Sequence, residues 1–174
     1  MDFNIAKSLD ILERTPAVLT SMLQNIAPEW TSNNEGGESW AVYDIIGHLI
    51  HGEKTDWVPR AAIILSTQPD KKFEPFDRFA QMQQSQENTL EQLLDEFSAL
   101  REANIAWLRS GKITTNDFTK KGIHPVFGEV TLSQLLATWT VHDLNHIAQI
   151  SRVMAAQYKE AVGPWTAFLK ILQS

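Results

Sequence analysis

The segment "TVHDLNHIAQI" (residues 140–150) places His142 and His146 four positions apart in a stretch with helical periodicity. Residues four apart lie on one face of a helix, one turn above the other, so both imidazoles can aim at a single point. The stripe that contains them has members separated by three or four positions: Leu135, Trp139, His142, His146, Gln149 and Val153. This spacing predicts a helix whose histidines face the interior of the protein.

Two buried imidazoles need polar partners, because an unpaired buried polar group costs about 1–3 kcal/mol. A divalent cation would satisfy both rings at once, and ordinary hydrogen bonds inside a helical protein would also do so. The pair alone therefore leaves a metal site and simple packing open.

A third candidate ligand comes from "DIIGHLIHGE" (residues 44–53), where His48 lies on or beside an apolar helical stripe. His51 is one turn further on, whereas Glu53 lies about 140° round the helix from His48 and is not expected to bind the same ion. Three imidazoles from two helices would form the open arrangement of a catalytic metal. Such a donor set suits Zn²⁺, Ni²⁺ or Fe²⁺ without choosing among them.

The whole chain shows the periodicity of an all-α protein, with four long amphipathic segments and no convincing strands between them. The segments span about Ile5–Ile26, Ser39–Thr67, Gln81–Ser110 and Thr131 to Gly163-Pro164 at the latest, and residues 164–172 suggest a short terminal helix. This pattern predicts one domain over residues 1–174, folded as a four-helix bundle with a short additional C-terminal helix.

Local signals refine these boundaries. Pro16 and Pro59 should interrupt or bend the first two segments, and Ser39 is a candidate N-cap. Gly111 suits a C-terminal cap, and "TLSQ" at residues 131–134 matches a capping box. Polar, breaker-rich loops are expected at residues 31–39 and 67–77, and a long connection at residues 111–130.

Composition limits the classes of partner. The net charge is −6, and a basic pair such as Lys120-Lys121 is too small to bind a chain of phosphates, so no nucleic-acid partner is expected. No apolar run approaches the roughly 20 residues that span a bilayer, so no membrane partner is expected either. The N-terminus lacks the pattern of a signal peptide and the chain has no cysteine, which suits a cytoplasmic protein and excludes thiolate ligands.

Several other side chains are candidates for minor roles. His124 precedes a proline and should be extended, as a solvated or capping residue or as a substrate group if its loop covers the end of the bundle. Trp40 and Trp57 are interpreted as core or interface anchors. Gln149 can hydrogen-bond to a ligand imidazole or to metal-bound water, and Asp143 should face solvent or a neighbouring helix.

Two stretches, "SWAVYDIIGHLIHGE" (39–53) and "HPVFGEVTLSQLLATWTVHDLNHIAQI" (124–150), closely resemble the DinB/YfiT family of metal-dependent proteins. The resemblance covers nearly the whole chain in element order. It implies a four-helix bundle, often found as a homodimer, with a metal triad on His48, His142 and His146. His51 matches no ligand position, and Asp143 and Gln149 match neighbours of the ligands.

The resemblance also implies a function: a metal-dependent enzyme that acts on a small molecule. Characterised relatives include transferases and isomerases in which a metal binds a low-molecular-weight thiol and favours its thiolate. The first expectation is therefore a thiol S-transferase acting on small electrophiles, with the substrate pocket at the end of the bundle and the 111–130 connection. A hydrolase using metal-bound water, with Asp143 or His51 as base, and a non-catalytic metal-binding or dimerising bundle are the alternatives.

Overall fold

A computed structural model describes residues 2–77, 79 and 88–173 and confirms the mainly helical fold. The α-helices are α1 (Ile5–Leu12), α2 (Thr15–Leu23), α3 (Glu29–Ser32), α4 (Val42–Thr55), α5 (Trp57–Leu65), α6 (Leu90–Arg109) and α7 (Leu132–Ala156). Strands β1 (Lys121–His124) and β2 (Gly128–Thr131) lie between α6 and α7, and 3-10 helices span Thr115–Thr119, Gly163–Phe168 and Lys170–Leu172.

The bundle has four helical members, and two of them are divided into two helices near a proline, as the sequence predicts. The first member consists of α1 and α2, and Pro16 lies in the first turn of α2. The second divides into α4 and α5 at Asp56, three residues before Pro59. Proline is tolerated in the first turn of a helix because its missing N–H needs no partner there. The break therefore falls before the proline and not at it.

The capping predictions have mixed outcomes. Thr131 and Gln134 form the expected capping box, with Thr131 Oγ1 accepting from the Gln134 N–H and Gln134 Oε1 accepting from the Thr131 N–H. Gly111 has a φ of +76° just after α6, as expected for a C-terminal cap. Ser39 was a wrong prediction, because α4 begins three residues later and the Ala41 N–H donates to the Asp44 carboxylate instead.

The third segment was expected to begin at Gln81, but α6 begins at Leu90 behind a capping box formed by Thr89 and Gln92. Residues 81–87 of that expected helix lie outside the described residues. The expected short helical segment near the C-terminus is present, as two 3-10 helices and not as one α-helix.

The 111–130 connection contains an antiparallel hairpin that the sequence did not indicate. Lys121 pairs with Thr131 and His124 with Gly128, and the Phe73 N–H donates to the Ile123 carbonyl from the 67–77 loop. Gly122 is required here, because a Cβ at this position would lie 2.4 Å from the Phe73 ring. The hairpin is thereby fixed closely against α5 and the 67–77 loop.

Two apolar clusters hold the helices together. One joins α2, α4, α6 and α7 and includes Leu49, Phe97 and Ile150. The other joins α1, α5, α6 and α7 and includes Trp57 and Trp139. Within the described residues, no helix is long and apolar enough to cross a bilayer.

Candidate metal centre

Two helices supply the three predicted ligands. His48 lies in the middle of α4, and His142 and His146 lie on successive turns of α7. The stripe predicted for α7 faces inward, since Trp139 and Val153 are fully buried and His146 is only 6% exposed. Packing of α7 against α4 therefore carries the imidazoles toward one another.

The three Nε2 atoms converge on one point. His142 Nε2 lies 3.1 Å from His48 Nε2 and 3.1 Å from His146 Nε2. Two nitrogens about 2.1 Å from a common ion, at angles between 90° and tetrahedral, are roughly 3.0–3.4 Å apart. A single ring nitrogen carries either one proton or one lone pair, so hydrogen bonding between the rings cannot fully satisfy both contacts. The donor set fits a divalent cation.

Gln149 fixes the orientation of one candidate ligand. Its Oε1 lies 2.8 Å from His146 Nδ1, and an amide oxygen only accepts, so the His146 proton is on Nδ1. The Nε2 lone pair then faces the other two rings, as metal binding requires. This partner on the outer nitrogen is common for metal-bound histidine.

Burial keeps two of the rings neutral. It lowers the pKa of His142 to about 2, helped by His146, His48 and the Arg101 guanidinium. Burial also lowers the pKa of His146, against the opposing effects of Gln149 and Asp143. Neutral imidazole is the ligating form, so little proton release would oppose metal binding.

Two hollows meet at the triad. The first, here called the apolar cavity, has a volume of about 310 Å³, and Trp57, Phe73, Phe127 and Leu135 are among its walls. The second, here called the polar hollow, has about 420 Å³ and includes Glu35, Glu38, Gln149 and Arg152. Both are lined by His48, His142 and Phe76. The candidate metal centre is thus open on two sides.

A charged pair that sequence reasoning missed lines the apolar cavity. Asp56, at the break between α4 and α5, lies 2.5 Å from Arg60 Nε. Burial raises the pKa of Asp56 to about 6, although Arg60 partly opposes the shift. In the sequence, the expected helix break near Pro59 could have pointed to Asp56, because a break exposes the end of a buried helix to a cavity.

A second missed cluster lies beside the triad and consists of Arg101, Glu53 and Asp143, here called the arginine cluster. Arg101 is 1% exposed and donates to both carboxylates at 2.6–3.1 Å and to the Leu12 carbonyl at 2.8 Å. These five contacts use all five guanidinium N–H groups. The signal was in the spacing, because Phe97, Arg101, Ile105 and Leu108 continue the apolar stripe of α6.

Asp143 therefore faces a neighbouring helix, one of the two expectations stated for it, and is completely buried. Glu53 also belongs to the arginine cluster, so both carboxylates are occupied by Arg101 and are separate from the triad. His51 is buried and its ring contacts Phe76 at 4.9 Å, outside the group of converging histidines.

The remaining predicted residues divide between packing and the site. His124 caps the hairpin turn and also lines the apolar cavity, together with Phe127 and Val130 from the same connection. Trp57 is buried among apolar residues, as expected, but also lines the apolar cavity and contacts His142 edge-on at 5.0 Å. Trp40 packs against the first cluster and lines the polar hollow.

Comparison with known proteins agrees with this architecture. The structure resembles YfiT from Bacillus subtilis with a TM-score of 0.71 over 84% of this chain and 83% of that chain, at 21% identity. That protein is described as a probable metal-dependent hydrolase with an unusual four-helix bundle topology. No curated protein matches the chain. The model of the DinB superfamily matches residues 11–150, which contain all three converging histidines, and the chain belongs to that superfamily.

Proposed function

We propose that the chain is a metal-dependent S-transferase that joins a low-molecular-weight thiol to a small electrophile. The observation that carries the proposal is the convergence of three imidazoles at the meeting point of two hollows. A transferase brings two organic reactants together, and each hollow offers room for one. A hydrolase needs a single organic pocket and a water molecule.

His48, His142 and His146 would hold the ion, and Gln149 would orient His146. When bound, a divalent cation supplies Lewis acidity that favours the thiolate form of a coordinated thiol. The chain contains no cysteine, so the thiol of this reaction comes from a separate molecule. Zn²⁺, Ni²⁺ and Fe²⁺ all suit three imidazoles.

The lining of the two hollows supports a different reactant for each. The polar hollow carries the Glu35–Arg152 ion pair, with Arg152 Nε 2.9 Å from Glu35 Oε1, and Gln149. Paired charges of both signs and an amide suit a hydrophilic thiol. The apolar cavity, with four aromatic side chains among its walls, suits an electrophile that is largely hydrocarbon.

The reaction exchanges two bonds for two others. The thiol sulfur bonds to the electrophilic carbon while one bond of that carbon breaks: the bond to the halogen in an aryl halide, the ring C–O bond in an epoxide, or the C=C π bond in an unsaturated ketone. The thiol proton ends on the halide, on the alkoxide oxygen or on the α carbon, respectively. Asp56 is the group in the apolar cavity suited to carry that proton, because its raised pKa of about 6 lies close to neutrality. Arg60 holds the Asp56 carboxylate in place.

Metal content tests the first half of the proposal. Untagged wild-type protein should contain about one divalent ion per chain, and His142→Ala should contain none. His51→Gln is the matched control, because His51 is also a buried α4 histidine but lies outside the triad, and it should retain the ion. Absence of metal from the wild type after incubation with Zn²⁺, Ni²⁺ and Fe²⁺ would identify the histidines as packing residues in a non-catalytic bundle.

Product formation tests the second half. Metal-loaded protein should conjugate at least one electrophile from a panel of aryl halides, epoxides and unsaturated ketones with a thiol from a panel that includes bacillithiol, mycothiol and glutathione. His142→Ala should form product only at the uncatalysed rate. Failure of every combination with fully metallated protein would contradict the transferase.

A metal-dependent hydrolase is the second candidate, favoured by the structural likeness to YfiT and by the carboxyl group of Asp56 in the apolar cavity. Asp56 would then take a proton from the attacking water. Of the two bases considered from sequence, Asp143 is held by Arg101, and His51 lines neither the apolar cavity nor the polar hollow. Turnover of esters or amides in the absence of any thiol would favour this candidate over the transferase.

A further inference from the structure

His124 has its proton position fixed by the hairpin turn. Its Nδ1 accepts hydrogen bonds from the N–H groups of Val126 and Phe127, at 3.1 and 3.2 Å. A ring nitrogen that accepts from an N–H carries a lone pair, so in the neutral ring the proton is on Nε2. Stacking on Phe127, with ring centroids 4.5 Å apart, holds the ring in this orientation.

The Nε2–H group is available to a ligand. The ring lines the apolar cavity, and no acceptor for Nε2–H exists among residues 2–77, 79 and 88–173. Burial, together with the charge of Arg60, lowers the pKa of His124, so the ring is uncharged at neutral pH. His124, one of the residues that line the cavity, thus has a neutral N–H group with no acceptor among the described residues.

The charges in the cavity argue against an ionic ligand in this position. Arg60 is the cation of the lining, and Asp56 neutralises it at 2.5 Å. The Arg60 guanidinium also lies 5.2 Å from the centre of the Phe73 ring and donates to the Glu74 carbonyl. A ligand carboxylate would lose its hydration without gaining an unpaired positive charge.

We infer that the apolar cavity binds an uncharged, aromatic-sized molecule whose carbonyl oxygen accepts a hydrogen bond from His124 Nε2–H. The inference rests on the proposed function in one respect, namely that the bound molecule is the electrophile of the reaction. Its binding requires the hairpin and the cavity alone, because His124 is not among the converging histidines.

Two substitutions test the roles of the two His124 ring nitrogens separately. In His124→Asn the side-chain oxygen can replace Nδ1 as acceptor for the turn, while the donor to the cavity is lost. In His124→Gln the longer amide can replace the Nε2–H donor, while the acceptor for the turn is lost. Hairpin integrity is checked in both from the backbone amide spectrum of residues 121–131.

The probe is 4-phenylbutan-2-one, titrated into zinc-loaded and metal-depleted protein and followed by ¹H–¹⁵N chemical shifts. We expect wild type to bind this ketone in both states, with shifts at the indole N–H of Trp57 and in the hairpin. His124→Asn should bind it roughly 3- to 10-fold more weakly, as expected for one neutral hydrogen bond. His124→Gln should retain more of the affinity than His124→Asn does.

Two results would overturn the inference. One is equal affinity of wild type and His124→Asn for the ketone. The other is tighter binding of 3-phenylpropanoate than of the ketone by metal-depleted wild type, which would assign the cavity to anions. Because metal-depleted protein is included, these outcomes are independent of metal content and turnover, on which the proposed function depends.

Discussion

The histidine triad and the arginine cluster are two buried polar groups that share helices α4 and α7, with Arg101 of α6 added in the second, yet only one of them is complete. In the arginine cluster every guanidinium N–H has an acceptor, and Glu53 also accepts from the Trp139 indole and the Asn104 amide. In the triad three Nε2 atoms face one another, and the His142 Nδ1 finds no partner among the described residues. A cluster that satisfies itself is structural, whereas one that does not is a place for a ligand.

The largest expected effect is on the complete cluster. Arg101→Met would leave the carboxylates of Glu53 and Asp143 buried without their counter-charge, which typically costs about 3–5 kcal/mol. Urea unfolding should show a loss of this size in the free energy of unfolding. Arg109→Met, which removes an exposed ion pair with Glu13, is the control and should cost less than about 1 kcal/mol. A similar cost for both variants would refute the structural role of Arg101.

For the histidine triad, the incomplete cluster, we expect ion binding to raise the stability of the protein. If the triad binds Zn²⁺ only in the folded state, an ion concentration 100 times the Kd should raise the free energy of unfolding by about 2.7 kcal/mol. His146→Ala should abolish this gain, and Arg109→Met should keep it. Unfolding curves with Zn²⁺ and with a chelator measure the effect. An equal gain in His146→Ala would place the bound ion elsewhere.

Asp56 belongs to neither group, since it is paired but retains a raised pKa. Its folded pKa of about 6 exceeds the ordinary 3.8, so between these values the folded state binds more protons than the unfolded state. Asp56 therefore lowers stability increasingly as pH rises from about 4 to about 6, by on the order of 2 kcal/mol in total. Relative to Asp56→Asn, wild type should lose this amount between pH 4 and pH 7 in unfolding experiments with chelator present. A pH-independent difference would contradict the shift.

The smallest effect concerns the partner of one ligand. Gln149→Ala should weaken metal binding about 10-fold, because His146 loses the acceptor that fixes its proton on Nδ1. Competition with a chromogenic chelator measures the change. Gln149→Glu restores an acceptor and should recover most of the affinity, while unchanged affinity in Gln149→Ala would show that packing alone orients His146.

Sequence periodicity was sufficient for the helices because their buried faces repeat every three or four residues. It also placed His48, His142 and His146 on inward faces, and the family resemblance joined them into one set. Arg101 was missed because charged residues are normally assigned to the solvated face, and only its spacing from Phe97 and Leu108 argued otherwise. The hairpin was missed because four-residue strands are too short for alternation to stand out, and Gly122 is explained only by the nearby Phe73.

Asp56 and His124 could not have been assigned from sequence for a different reason. The shift in Asp56 depends on how deeply the break between α4 and α5 is buried. The role of His124 depends on a turn that forms only when β1 pairs with β2. Both are consequences of tertiary structure, whereas the triad follows from secondary structure and one helix contact.

The arginine cluster also bears on when the ion is acquired. It links α4, α6, α7 and the end of α1 through Arg101, with no contribution from the three histidines. The helices that carry the ligands are therefore held in register before any ion arrives. If the triad binds an ion as proposed, loading would therefore not have to accompany folding, and the metal carried would depend on the ions supplied to the folded protein.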